Sequence, residues 1–259
     1  MAAHHFTLIA TTLAAGLLLP LAAHAEEAVM ATDRPDIVES SAVVGLGRFQ
    51  IETSFASESN TVAGVKTTTR TTPTLLRYGI TENTELRLET DGFIRDGQDN
   101  GFADVALGLK WHTHDGDEAT GKPAIAWLFH ADLDSGARAF RGQGVRPSVR
   151  VVAEWELPHD MALGIMPGVL ADKNDAGEHF VAGIFAVTVG KSWTDGFRTF
   201  IEVAGQQLSS RKNGGAVVTY DAGMAYMLSP AMQLDAAVSI GANQYTPDRL
   251  WTVGFSVKF

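Results

Sequence analysis

The sequence has no cysteine, which excludes disulfides, thiolate metal sites, cysteine nucleophiles and a lipidated N-terminal cysteine. Charge is scarce at 19% and is weighted towards acid, with 30 Asp and Glu against 20 Lys and Arg. No basic stripe interleaved with aromatics occurs, so nucleic acid is not an expected partner. Beyond the extreme N-terminus there is no apolar run long enough for a membrane-spanning helix, which excludes a helical membrane protein.

What is present begins with a leader. Phe6 to Ala22 is apolar and too short for a membrane span, and Ala23-His24-Ala25 then Glu26-Glu27 form a small-x-small cleavage site. Its n-region, Met1-Ala2-Ala3-His4-His5, departs from the usual pattern in having no Lys or Arg. Residues 1–25 are read as a cleaved signal peptide, so the mature chain begins at Glu26.

From Gly47 onward the apolar residues recur with period two, the signature of strands and not of helices. In the last ten residues Trp251, Val253, Phe255, Val257 and Phe259 alternate with Thr252, Gly254, Ser256 and Lys258. From Gly101 to His112, Ala103, Val105, Leu107, Leu109 and Trp111 alternate with Asp104, Ala106, Gly108, Lys110 and His112. The pattern predicts strands over 47–56, 67–78, 84–93, 102–112, 123–132, 146–157, 161–171, 179–193, 197–207, 216–228, 232–241 and 250–259. Most are about ten residues long, enough for a tilted strand to cross the hydrocarbon layer. Pro73 and Pro167 withhold ladder donors and predict a bulge or break at each.

Short turns at 80–83, 158–160, 194–196 and 229–231 alternate with longer polar stretches at 57–65, 94–100, 133–145, 209–215 and 242–248. Short periplasmic turns and long outer loops have this rhythm; the polar connection 113–122 is the exception on the short-turn side. The polar strand faces are crowded with charge, whereas Trp111, Trp127, Trp155, Trp193 and Trp251 all lie on apolar faces. With Phe259, these are the expected membrane-interface aromatics. The fold expected is all-β: a transmembrane antiparallel β-barrel of about 12 strands over 47–259, with a polar lumen and an apolar exterior, in the bacterial outer membrane. Residues 26–46 precede it as a periplasmic or lumen-inserted segment.

Four stretches carry a resemblance. Ala31-Thr32-Asp33-Arg34-Pro35-Asp36 with Gly47-Arg48-Phe49-Gln50-Ile51-Glu52, then Leu75 to Arg87, then Gly101 to Lys110 resemble the outer-membrane transporter family associated with phenol (aromatic-compound) degradation pathways. The resemblance implies an outer-membrane barrel with a transport role and suggests aromatic or other apolar solutes. The terminal Phe resembles the signal by which barrel-assembly machinery recognises its clients, so that machinery is an expected partner through the C-terminal strand, along with outer-membrane lipid and a small-molecule solute.

The alternation turns Arg48, Glu52, Glu85, Arg87, Glu89, Asp104, Lys110, Arg150, Glu154, Arg198, Glu202, Asp221 and Asp235 towards the lumen. They line a permeation path or pair across it as a structural ionic plug. Asp33, Arg34 and Asp36 give residues 26–46 the charge to enter the lumen. There the segment would be held mainly through Arg34, with Asp33 and Asp36 seeking Arg48, Arg87 or Arg150. Phe200, Leu128 and Phe180 are the apolar inward positions, read chiefly as packing. No Gly-x-Ser-x-Gly occurs, and His159 and His179 lie at a turn and a loop edge, so no catalytic site is expected. His112 to Glu118 is read as a solvated connection and not a metal site; no cofactor is expected. The leading functional expectation is passive small-molecule uptake, and the alternative is a non-conducting barrel with a structural or surface-interaction role.

Overall fold

The computed structural model describes residues 29–174 and 176–259; the leader expected over residues 1–25 lies outside them. The strands are β1 (Phe49–Val62), β2 (Val65–Thr71), β3 (Thr74–Thr81), β4 (Thr84–Thr90), β5 (Phe93–Asp96), β6 (Asp99–Phe102), β7 (Val105–His114), β8 (Ala124–Asp132), β9 (Arg146–Leu157), β10 (Met161–Lys173), β11 (His179–Thr194), β12 (Phe197–Leu208), β13 (Val217–Ser229), β14 (Met232–Gly241) and β15 (Arg249–Lys258). All pairings are antiparallel, and β15 closes on β1 from Gln50↔Lys258 to Ser59↔Arg249. Along this ladder closure removes the sheet edges, which hydrocarbon requires because no water is there to satisfy them. At the seam the Phe259 N–H donates to the Phe49 carbonyl at 2.8 Å, and the two rings stack 6.3 Å apart.

Three wall strands are interrupted, so the barrel has twelve crossings: β2 continues as β3, β4 as β5 and β6 as β7. The breaks fall side by side. Thr72 N–H donates to the Asp91 carbonyl at 3.0 Å, and Ala103 N–H to the Gly92 carbonyl at 2.8 Å. Pro73 lies at the first break, as its missing donor requires. The second and third were not expected, and the third reverses a face: Ala103, read as outward with Val105, is buried and lines the lumen. Pro167 does not end its strand. It lies inside β10 opposite Phe185, and its missing donor falls towards β9, where the ladder skips from Ile165↔Ala153 to Gly168↔Arg150. The connection 113–122 is a hairpin end with an isolated bridge, Asp117↔Lys122.

The faces are inverted relative to a soluble barrel. Val181, Ile201, Trp193, Tyr220 and Phe102 are among the most exposed apolar side chains, while Gln50, Glu52, Arg77, Glu85 and Lys110 are fully buried inside. A contiguous apolar exterior of this extent is stable only against lipid. Trp111 and Trp127 pair across β7 and β8 near the short-turn end, Trp155 and Trp193 lie near that same end, and Trp251 lies near the other. Trp155 is half-buried and the other four are exposed.

The interior is itself divided. The wall from β14 through β15, β1, β3 and β4 to β7 presents Gln233, Asp235, Gln50, Glu52, Arg77, Glu85, Arg87 and Lys110. The wall from β8 to β12 presents an apolar cluster of Leu128, Val152, Met166, Ala186 and Ala204.

Candidate functional site

Residues 30–47 run inside the barrel and bind both walls. The segment enters at the short-turn end, where Met30 N–H donates to the Pro230 carbonyl at 2.8 Å. The Ala31 carbonyl then accepts from Gln50 Nε2 at 2.9 Å and Arg77 Nη1 at 3.0 Å, and Gln233 Nε2 donates to the Thr32 hydroxyl at 3.0 Å. It leaves by the same end, with Val44 N–H donating to Glu85 Oε2 at 2.9 Å and Gly47 N–H to the Gly79 carbonyl at 2.8 Å. The exit requires glycine at 79, because a Cβ there would lie 1.7 Å from the Gly45 carbonyl oxygen.

Asp33 is the centre of the contact. Its carboxylate accepts from Lys110 Nζ at 2.7 and 2.8 Å, from Arg87 Nη1 at 2.6 Å and from Ser40 N–H at 2.9 Å, with Arg77 Nη1 at 3.5 Å. Glu39 accepts from Arg87 Nη2 at 2.7 Å and from Arg150 Nη1 at 2.9 Å. Around Asp33 and Glu39 the walls carry Arg77, Arg87, Lys110 and Arg150 against Glu52 and Glu85, so the two segment carboxylates supply the missing anions. Burial pushes the Asp33 carboxyl up, but Arg77, Lys110 and Arg87 together hold it well below the usual carboxylate range. Glu39 is shifted down in the same way: burial pushes it up, and Arg87, Lys110 and Arg150 together outweigh that.

On the other side the segment packs and caps. Val38 inserts among Leu128, Val152, Met166, Ala186 and Ala204, with Ile37 against the same cluster. The main-chain N–H groups of Ile37 and Val38 each donate to the Glu202 carboxylate at 2.8 Å, and Ser41 N–H donates to Glu154 Oε2 at 2.5 Å. Wall side chains at this level are closed off from solvent, so the segment fills the lumen there.

Above it, towards the long loops, lies a cavity of about 890 Å³. Glu58, Glu89, Asp91, Asp132, Glu202 and Asp221 line it, against Arg87, Arg146 and Arg150. Phe200 and Leu128 are buried packing groups, whereas Phe180 is half-buried near the loop end.

Several sequence-based expectations are corrected. Arg48 precedes β1 and is exposed at the rim, outside the lumen. Asp104 does not belong to a regular strand; it lies in the break between β6 and β7 and binds the loop 133–145. Arg34 is not the main anchor: among the described residues its Nη2 meets one carboxylate, Asp235, at 3.1 Å, while Asp33 holds three cations. Arg150 binds Glu39 in place of either Asp, and Asp36 pairs with Arg198 at 3.2 Å. Of the partners foreseen for Asp33, Arg87 is found.

The remaining inward candidates, Glu89 and Asp221, face the cavity, and Glu89 lies 3.6 Å from His130. Sequence reasoning missed Arg77, Glu39 and His130. Arg77 is legible in the pattern, since it shares the lumen face with Leu75 and Gly79 and lies across from Arg87. His112 Nδ1 meets the Ser41 carbonyl at 2.9 Å and its Nε2 meets Asp115 at 2.9 Å, and no metal-binding cluster forms among the described residues.

The fold has close counterparts among outer-membrane barrels. The chain is similar to the NanC porin, with 13% identity and a TM-score of 0.55, covering 82% of this chain and all of that one. It is similar to the KdgM porin, with 10% identity and a TM-score of 0.54, covering 81% and 99%. At these identities the likeness establishes the barrel architecture. No curated relative matches the sequence. Residues 32–259 match the family model described as "Putative MetA-pathway of phenol degradation", and the chain belongs to that family.

Proposed function

We propose that the mature protein is a passive uptake route for small molecules across the outer membrane, with residues 29–47 as a plug closing its periplasmic half. The observation that carries this reading is the division of the lumen. A cavity large enough for a small solute lies above a segment held by buried ion pairs and not by sheet pairing. The family description and the apolar wall at Val38 favour aromatic or other apolar solutes, and the excess of carboxylates around the cavity disfavours anions. The terminal strand, ending at Phe259 against Phe49, offers the barrel-assembly machinery its recognition element. Residues 1–25 are the expected leader.

Planar-bilayer conductance of the refolded barrel tests the reading. Deleting residues 26–46 should convert rare or small openings into steady conductance. A deleted barrel that folds but neither conducts nor passes solutes into liposomes would establish a purely structural protein.

A further inference from the structure

The cavity has an entrance at the long-loop end and a floor of docked segment, so a solute that enters needs an exit. One part of the wall is closed by a loop instead of a strand. Between β6 and β9 the β7–β8 ladder stops at Ala106↔Asp132, and above it residues 133–145 cover the gap. Main-chain contacts tie this loop to the interrupted strand: Leu133 N–H donates to the Val105 carbonyl at 2.9 Å and Ala137 N–H to the Phe102 carbonyl at 2.8 Å.

One carboxylate latches it. Asp104, in the strand break, accepts from the N–H groups of Ser135 at 3.0 Å, Gly136 at 2.7 Å and Gly142 at 2.7 Å, and from Arg146 Nη2 at 2.8 Å. Gly136 permits the approach, since a Cβ there would lie 2.8 Å from the Ala103 carbonyl carbon and the Asp104 nitrogen. Loop closure thus depends on the Asp104 carboxylate, on the Ser135 hydroxyl that accepts from Val105 N–H at 3.0 Å and on a few main-chain bonds, whereas β10 and β11 beyond it share an unbroken ladder.

The closure has an apolar lining on both sides. Ile94, Ala103 and Phe140 face the cavity, and Phe93 and Phe102 pack edge to face at 5.5 Å on the exposed exterior. The height is also suitable. Phe93 lies seven residues up the wall from Leu86, which pairs with Tyr78 at the inner rim. At about 3.3 Å per residue and a tilt near 40°, that is roughly 18 Å, inside the ~25 Å apolar band of a membrane barrel.

We propose that the loop 133–145 is a side gate latched by Asp104, through which small apolar solutes pass from the cavity into the outer leaflet without displacement of the plug. The proposal rests on the uptake reading above and gives it a route and a solute class. An apolar solute gains by entering hydrocarbon directly, and a polar solute does not, so the gate selects by chemistry.

The chain's lack of cysteine allows a clean test with the pair Gly101→Cys and Ala137→Cys. A Cβ on residue 101 would lie 2.5 Å from that of Ala137, so the loop must yield by about an ångström to form a disulfide. Uptake of radiolabelled toluene is measured in intact cells bearing the full-length variant, oxidised and then reduced. Oxidation should cut the initial rate at least tenfold and reduction should restore it. Asp104→Asn, which weakens the latch, should raise the rate several-fold.

Equal uptake in the two redox states of the pair, together with no change for Asp104→Asn, would overturn the side gate while leaving the uptake reading intact. The pair is also placed in the barrel lacking residues 26–46. Conductance there should be indifferent to oxidation, and its loss on oxidation would show that the crosslink shuts the axial path and would overturn the gate. No toluene uptake by any form, with no conductance from the shortened barrel, would overturn the uptake reading and the gate with it.

Discussion

Asp33→Asn is the sharpest perturbation of the plug. The change removes the one anion that meets Lys110, Arg87 and Arg77 together, all three fully or almost fully buried. Asparagine keeps an acceptor for one of them; Arg77 and Arg87 retain Glu52, Glu85 and Glu39 at 2.7–3.0 Å, but Lys110 is left with Glu39 at 3.8 Å. Breaking a buried ion pair by removing one partner costs about 3–5 kcal/mol, which shifts the balance between docked and released segment by roughly two to three and a half decades. The assay exploits the cysteine-free chain: Ser41, buried where the plug meets the wall at Glu154, becomes Ser41→Cys as a reporter. In the refolded barrel a water-soluble maleimide should label it slowly. Adding Asp33→Asn should speed labelling by at least a hundredfold and raise conductance. Arg34→Ala should do less, because Arg34 meets one carboxylate and is itself partly exposed. Equal labelling rates with and without Asp33→Asn, or a larger effect from Arg34→Ala, would refute the assignment of Asp33 as the anchor.

Acid should release the plug. Asp33 and Glu39 are held below their ordinary values of 3.8 and 4.5 when docked, so the docked state binds fewer protons; its stability is complete above that range and is lost as pH falls, with Ser41→Cys labelling, taken relative to a free thiol at the same pH because only the thiolate reacts, rising from about pH 5 downward. Glu202→Ala leaves the N–H groups of Ile37 and Val38 without acceptors among apolar neighbours, at about 1–3 kcal/mol for each, and should also speed labelling, whereas Glu202→Gln should fall between it and the parent. Deleting Phe259 removes the stack on Phe49 and two main-chain bonds at the seam; the yield of heat-modifiable folded barrel on gels should fall severalfold, and an unchanged yield would show that the seam is set by the other register pairs.

Much of the barrel was legible because a membrane wall writes its two faces directly into the chain. Trp251, Val253 and Phe255 can face only lipid, and Glu85 and Arg87 only the lumen, so period two gives strand and orientation together. The twelve crossings, the short-turn end and the exposed tryptophans follow from that. The aligned breaks did not, because a break carries no periodic signal of its own. Asp91-Gly92 reads as an ordinary continuation of β4, and the residues from Gly101 to His112 alternate cleanly through Ala103-Asp104 while the backbone reverses which face they present.

The inserted segment was harder for a specific physical reason. Matching charges along the sequence, inward acids outnumber inward bases, and on that count the surplus calls for a cation such as Arg34. In the structure much of that surplus meets main-chain donors. Glu52 accepts from Asp33 N–H, Glu202 from Ile37 and Val38, Glu154 from Ser41 and Glu85 from Val44. A segment without helix or strand carries its N–H groups into a closed lumen unpaired, and each must find an acceptor there. Carboxylates on the wall do this work, while Asp33 and Glu39 neutralise the local excess of Arg77, Arg87 and Lys110. The lumen's acidity therefore records the irregular backbone it encloses, a donor set that no count of side-chain charges contains.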